Sequence, residues 1–579
     1  MRKGLMSLKF KPLITRRQKV TVIGSAVLLA STTLGSMVSA QTVRLTSAHY
    51  LSKSLGGGSH PLSWYFGNIK PYHKTVNVSI GWFSSLPTGL PPAASQTNNA
   101  YVRTVDKTLN VHLTWNFLEP FSELTTKEQL VVADNQMPDV MVVNQQQMEQ
   151  LAHAGKLANL TGAFKRDASP YIKSLYASNH DRALKTATIN GKLMAIPDTQ
   201  IGYQWNLLWI RKDWLAKLHL QPPTTMAGVI HVAKEFISHH LGGKQTIGLV
   251  GPGNSSPNSL TTYNNFGGFD TIFGAFGAYP TYWINVHGKA KYGSVQPQML
   301  PALKYLRAMY KAGVIDPSFA TRTTDQEVAK VAGGQAGMFF GPWWMPGHVE
   351  QTVENNPNAT WVAVAAPGLT AHARLNVLAP PWSLNYIVVK KGFAHPGVAL
   401  KAINIDQTDY RGHNPAGNFY PRYNPGWANW PLLVQLDFYN SVPLQYRELK
   451  AALAHHSPAS LAPRDVTIYQ RILKARANQA HPAKDIAYWA EAAAWMTGVA
   501  PISANEKRYH QVEPMTVVLP VSMEAQWTQM QSLENETLLQ IITGQKPVSA
   551  FKQFVQQWKG LGGTKITQYV QAHIKAFSK

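Results

Sequence analysis

The sequence predicts an α/β protein built on mostly parallel sheets. Two observations lead there. Short apolar or alternating runs with strand character recur along the chain, and segments with helical periodicity lie between them. The apolar share, 45% of 579 residues, is ample for a large core and rules out wholesale disorder. At a soft allowance of about 150 residues per domain, a chain of this length holds three or four structural units.

Residues 1–40 have the order of an export signal. Residues 2–19 are basic, 20–37 are apolar, and Val38-Ser39-Ala40 supplies small residues ahead of Gln41. A retained membrane anchor is the rival reading, since the apolar stretch nearly reaches the length of a span. Seven of the 54 Lys and Arg residues and none of the 30 Asp and Glu residues lie in this segment, so +17 of the net +24 stays on the mature chain. Residues 41–75 read as a flexible tether. Gly56, Gly57 and Gly58 followed by Ser59, with Pro61 and Pro71 nearby, give neither a helical nor a strand period.

Beyond the tether the elements can be taken in turn. Residues 76–80 (VNVSI) alternate as a first strand and 111–117 (VHLTWNF) as a second, while 139–143 (DVMVV) fit a buried parallel strand. Residues 224–238 form a helix that Thr224 or Thr225 can cap, with Met226, Val229, Ile230, Ala233, Phe236 and Ile237 on one face. Leu300, Leu303, Leu306 and Tyr310 repeat that pattern up to Gly313, which is placed as a stop. Phe551, Phe554, Val555 and Trp558 follow i, i+3, i+4, i+7 near the end.

The composition excludes several chemistries. With no cysteine there are no disulfides, thiolate metal sites, cysteine nucleophiles or lipid-modified N-terminal cysteine. No phosphate-binding loop, nucleophile elbow or metalloprotease helix occurs. The neighbours His239-His240 and His455-His456 point in different directions on a helix and read as solvated. No metal and no cofactor is expected. Lys and Arg stand singly or in short pairs such as Arg211-Lys212 and Lys390-Lys391, which is not a nucleic-acid stripe. Charged residues make up only 15%, and acids are the scarcer class. Few carboxylates mean little charge is lost as pH falls, which suits a protein working outside the cell in acid.

From Pro138 onward the chain carries a series of recognisable segments. PDVMVVN (138–144), LAHAGKLANLTG (151–162), NGKLMAIPD (190–198) and LLWIRKDWLAKLHLQPPTT (207–225) are followed by TIGL (246–249), YLRAMYKAGVIDPSF (305–319) and GGQAGMFFGPWW (333–344). Residues 527–567 close the series. In this order and spacing the chain resembles the family 1 extracellular solute-binding proteins of ATP-binding-cassette importers, nearest the large sugar-type members of Gram-positive bacteria. The resemblance covers roughly residues 75–405 and 520–575.

The resemblance implies a two-lobed, type II periplasmic-binding-protein-like fold whose hinged lobes close over a ligand cleft. Lobe 1 would comprise 76–198 plus about 368–410. Lobe 2 would comprise 199–367 plus about 411–579, with an extra helical C-terminal region. Crossings are expected near 196–204 and 365–369. The implied partners are an oligosaccharide or related polar solute and the permease subunits of an importer in the membrane; the protein itself would be monomeric, exported and cell-surface associated. Two departures stand out. The family's lipid-bearing cysteine is missing, and the stretch that holds calcium in many relatives reads Ser238-His239-His240-Leu241-Gly242-Gly243-Lys244-Gln245 with no carboxylate, so calcium binding is expected to be lost.

Sugar recognition needs flat apolar surfaces for ring faces and polar groups for hydroxyls. By resemblance, Gly341-Pro342-Trp343-Trp344 carries a cleft tryptophan, making Trp343 the first candidate. Trp82 follows the first strand, and strand ends face the cleft in open α/β sheets. Asn144 and Gln145 end the PDVMVV strand, Asp198 follows the GKLMAIP hinge strand with a structural hinge role as its rival, and Trp205 lies just beyond. Trp283 and Trp382 complete the set. Trp209, Trp214, Trp527 and Trp558 read as core. A secreted carbohydrate-active enzyme and a cationic protein held on anionic wall polymers are the alternative functions.

Overall fold

A computed structural model describes residues 61–577, apart from 85–89, 91–92, 255–258, 264, 411–429, 433, 480 and 516. The expected export signal and most of the tether lie outside the described residues. Within the rest of the tether segment, Leu62–Phe66 form a short helix whose buried Tyr65 packs 5.3 Å from the Tyr171 ring. Packed structure therefore begins ahead of residue 76, a contact between aromatic rings distant in sequence that local composition does not signal.

The strands, in chain order, are β1 (Val76–Phe83), β2 (Val111–Glu119), β3 (Val140–Val143), β4 (Thr188–Ile189), β5 (Lys192–Leu193), β6 (Ala195–Pro197), β7 (Leu207–Arg211), β8 (Ile247–Leu249), β9 (Trp283–Val286), β10 (Lys289–Tyr292), β11 (Ala336–Gly341), β12 (Trp361–Val364), β13 (Leu375–Leu378), β14 (Tyr386–Val389), β15 (Tyr509–Val512) and β16 (Pro514–Met515).

The first lobe is built on a five-stranded sheet of order β2-β1-β3-β14-β6. β1 runs parallel to β2 and β3, whereas β14 is antiparallel to both β3 and β6. All four residues of β3 are buried, as a central parallel strand with helices on both faces requires. The β1–β2 register shifts between Ile80 and Gly81. A Cβ at Gly81 would lie 2.3 Å from the Phe117 ring, so only glycine lets the two strands close there.

The second lobe holds the sheet β12-β7-β11-β8, with β11 parallel to β8 and antiparallel to β7, and a smaller sheet β10-β9-β16. Thr225 caps the helix Met226–Ser238 by accepting from Gly228 N. Its buried face is Met226, Val229, Val232, Ala233 and Phe236, while Ile230 and Ile237 sit at the edge. The helix Met299–Lys311 buries Leu303 and Leu306, and Gly313 follows it at φ +68°. Phe551, Phe554 and Trp558 are buried in the same core as these helices.

The chain passes from the first sheet to the second between β6 and β7 and returns between β12 and β14. Leu432, Val434, Leu436 and Phe438, in the stretch expected to belong to lobe 2, pack in the core of the first lobe. The helices Ser441–Ala454 and Pro463–Ala477 form a separate core with Trp495 and Val499, and Trp343 leans against it. The long helix Val521–Thr543 returns to the second lobe and ends at Gly544, φ +88°.

Candidate functional site

Between the lobes lies a cavity of about 550 Å³, of the size that takes a small ligand. Asn144, Gln145 and Gln146 line it from the first lobe, and Thr281, Tyr282, Trp283, Glu524, Trp527, Thr528 and Gln531 from the second. Pro381, Ser383 and Leu384 on the returning segment form a third wall.

The apolar wall is a stack of aromatic rings. Trp283 opens β9, buried, with Trp527 stacked at 6.1 Å and Tyr292 of β10 at 5.0 Å. Tyr292 in turn stacks on Trp558 at 5.3 Å with planes 8° apart. Behind them Glu534, fully buried, accepts from the hydroxyls of Tyr292 and Ser294, and the Ser294 oxygen accepts from Thr281 N at 2.6 Å. Burial pushes the Glu534 carboxyl up to about 7, against the pull of those donors. The platform is thus fixed from behind while Trp527 remains half open to the cleft.

The polar wall comes from the end of β3. Asn144 caps the helix Gln145–His153, accepting from Gln147 N at 2.9 Å while the Gln147 side chain accepts from Asn144 N. That bond fixes Asn144 Oδ1 but leaves its amide protons for the cleft. Gln145 donates to Glu149 at 3.0 Å. Glu524 spans the cleft, accepting from Gln146 Nε2 at 2.5 Å and from Gln150 Nε2 at 2.7 Å.

Asp198, 1% exposed, is a structural knot and not a cavity wall. Its Oδ1 accepts from Ser383 Oγ and Leu384 N, both at 2.8 Å, and its Oδ2 from Asn385 Nδ2 at 2.9 Å and Gln200 Nε2 at 3.2 Å. Burial raises its carboxyl, and the donors from Asn385, Leu384 and Ser383 oppose the shift. The carboxylate therefore ties the outgoing connection to the returning one, and Ser383 and Leu384 carry that tie to the cavity wall.

Asn144, Gln145 and Trp283 are the expected contact residues that line the cavity; the other five lie elsewhere. Trp82 is buried in the first lobe, stacked on Phe83 at 5.4 Å. Trp343 packs 4.8 Å from Trp495 of the helical addition, a partner outside the segments that suggested a cleft role. Trp382 lies beneath Arg182 at 4.7 Å and beside Tyr439. Trp205 is packed against Tyr509 at 4.4 Å beside a cavity of about 20 Å³, room for roughly one water and not for a sugar ring. Conversely, Trp527, read as core, lines the cleft. Its stripe Met523, Trp527, Met530, Glu534, Leu538 is continuous, so periodicity gives no sign that this member is half open.

The comparisons bear on what such a cleft belongs to. A profile of the family described as bacterial extracellular solute-binding protein matches residues 96–404, more than half of the chain. The chain belongs to that family. Its solute-binding relatives include the polygalacturonan/rhamnogalacturonan-binding protein YtcQ of Bacillus subtilis (strain 168), 24% identical over 271 residues, 46% of this chain and 50% of that protein. The fructooligosaccharide ABC transporter substrate-binding protein FusA of Streptococcus pneumoniae serotype 4 (strain ATCC BAA-334 / TIGR4) is 22% identical over 262 residues, 41% of this chain and 45% of that one. The match therefore spans about half the length of these curated relatives. The crystal structure of the alginate-binding protein AlgQ2 without calcium ion superposes with a TM-score of 0.57 at 15% identity, over 88% of this chain and 99% of that one, and so shares the two-lobed fold.

Among the described residues, no cluster of three or more His, Asp or Glu side chains is placed to hold a metal ion, and no helix is long and apolar enough to cross a membrane.

Proposed function

We propose that this solute-binding protein captures an oligosaccharide in the cleft between its lobes and delivers it, unchanged, to an ABC importer. The observation that carries this reading is the pairing of the Trp283–Trp527 platform with the amides of Asn144, Gln145 and Gln146 across one cavity. Tryptophan faces accept the C–H surfaces of sugar rings, and amides match hydroxyls as both donors and acceptors. The names of YtcQ and FusA, both saccharide binders, support the same class of ligand.

Closure would be a hinge motion about the Asp198 tie, with ligand stabilising the closed form by touching both lobes. A glycosidase needs two carboxyl groups flanking the scissile bond. Glu524 is the one carboxylate among the described cavity-lining residues, which favours binding without catalysis. Export through residues 1–40 and presentation of a monomer to a permease complete the proposal.

A thermal-shift screen of the mature protein against oligosaccharides and short peptides, with chromatography of the recovered ligand, tests it. A selective rise with one glycan class and intact recovered glycan supports the reading. Cleaved products, or shifts with peptides alone, overturn it.

A further inference from the structure

The charge of the cleft narrows the ligand. The chain as a whole is strongly cationic, at +24, yet none of the described side chains lining the cavity is Lys, Arg or His. The one charged group there is Glu524. It sits on the first turn of the helix Val521–Thr543, three residues before Trp527, and reaches across to Gln146 and Gln150 of the opposite lobe.

We propose that Glu524 makes the cleft selective for neutral oligosaccharides and excludes those bearing uronic acids. The inference rests on the reading of this cavity as a saccharide site and specifies its ligand class. Its first argument is desolvation. A glycan carboxylate enclosed here would lose water and find no cation to replace it, a costly state for any buried charge. The second is repulsion, because Glu524 accepts from two amide donors of the opposite lobe, which hold its carboxylate toward the cavity. The third is positive. A carboxylate beside an aromatic platform accepts hydroxyl protons in short, charge-assisted bonds, which suits a sugar whose ring stacks on Trp527. Gln146 and Gln150, freed from Glu524 by an incoming hydroxyl, remain on the opposite wall as donors to the same ligand.

This selectivity differs from that of YtcQ, a polygalacturonan/rhamnogalacturonan-binding protein. It also runs against the protein's net charge, which taken alone would favour acidic glycans. The cleft lining, and not the total charge, sets the preference, since exposed cations beyond a Debye length of about 8 Å are largely screened at physiological salt.

The test is isothermal titration of the mature protein with short neutral gluco-, fructo- and xylo-oligosaccharides and with oligogalacturonates, repeated on Glu524→Gln. At least one neutral glycan is expected to bind at least about 100-fold more tightly than any oligogalacturonate. In Glu524→Gln that ratio is expected to shrink by about tenfold or more, with unchanged melting temperature showing that the fold is intact. Oligogalacturonates binding the wild type as tightly as neutral glycans would overturn the selectivity and leave the saccharide reading standing. Failure of every saccharide to bind would overturn both. A ratio that stays the same in Glu524→Gln would remove Glu524 from the explanation, and the wild-type ratio is measurable even if that variant does not fold.

Discussion

Trp283 and Trp527 stack with ring centroids 6.1 Å apart and planes 26° apart, one buried at the start of β9 and the other half open on the helix Val521–Thr543. The buried ring is braced by Tyr292 and Trp558, so the open one rests on a rigid base. A sugar stacked on such a ring meets a surface already ordered before binding, which lowers the entropy lost on association.

The two rings should therefore respond differently to truncation. Trp527→Ala is expected to weaken oligosaccharide binding by about tenfold or more, roughly 1.4 kcal/mol, with little change in melting temperature. Trp283→Ala should cost about 3–5 kcal/mol of stability, because it opens a void between Tyr292, Trp527 and Trp558. Paired denaturant melts and titrations read both effects.

Trp343 offers the opposite contrast. It packs on Trp495 of the helical addition and not on the cleft, so Trp343→Ala should cost about 2–4 kcal/mol in a urea melt. Oligosaccharide affinity of the folded variant should stay within about twofold of the wild type.

Asp198 governs the hinge connection. Asp198→Ala would strand two buried donors, from Gln200 and Ser383, and two half-buried ones, from Leu384 and Asn385, and should destabilise the protein by about 3 kcal/mol. Asp198→Asn keeps the shape but turns an amide N–H₂ toward donors, so it should also lower the melting temperature. Both are measured by differential scanning calorimetry.

The buried carboxyls give their contribution to the pH dependence of stability a defined sign. Burial raises Glu128 to about 8 from 4.5, Glu534 and Glu448 to about 7 from 4.5, and Asp270 to about 7 from 3.8. Between those values the folded state binds more protons than the unfolded chain, so stability falls as pH rises through the window. The melting temperature is expected to be higher at about pH 4.5 than at about pH 8.

What could be read in the sequence follows from the physics of each element. The strands at 76–80 and 111–117 and the helix over 224–238 were legible because one face of each is buried, which imposes a period on the residues. The two-lobed architecture was legible through the resemblance of ordered segments. The cleft is less so, because its walls come from residues 144–146 and 281–283, from Pro381, Ser383 and Leu384, and from Glu524, Trp527, Thr528 and Gln531, which only the tertiary fold brings together. Asn144, Gln145 and Trp283 sit at strand ends, a position the sequence signals, and they line the cavity. Trp343 packs away from this cavity on Trp495, which lies in a helical region that the resemblance does not cover. Glu524 and Gln146 carried no local signal, since polar residues on a first helical turn are ordinary until another lobe faces them.

The most direct test of the central claim is calorimetric titration of wild type and Trp527→Ala with the glycan picked out by the thermal screen. One-to-one binding is expected, with a dissociation constant in the micromolar range, about −8 kcal/mol, and a tenfold or greater loss in the variant. Binding that is unchanged by Trp527→Ala, or no binding of any saccharide, would contradict it.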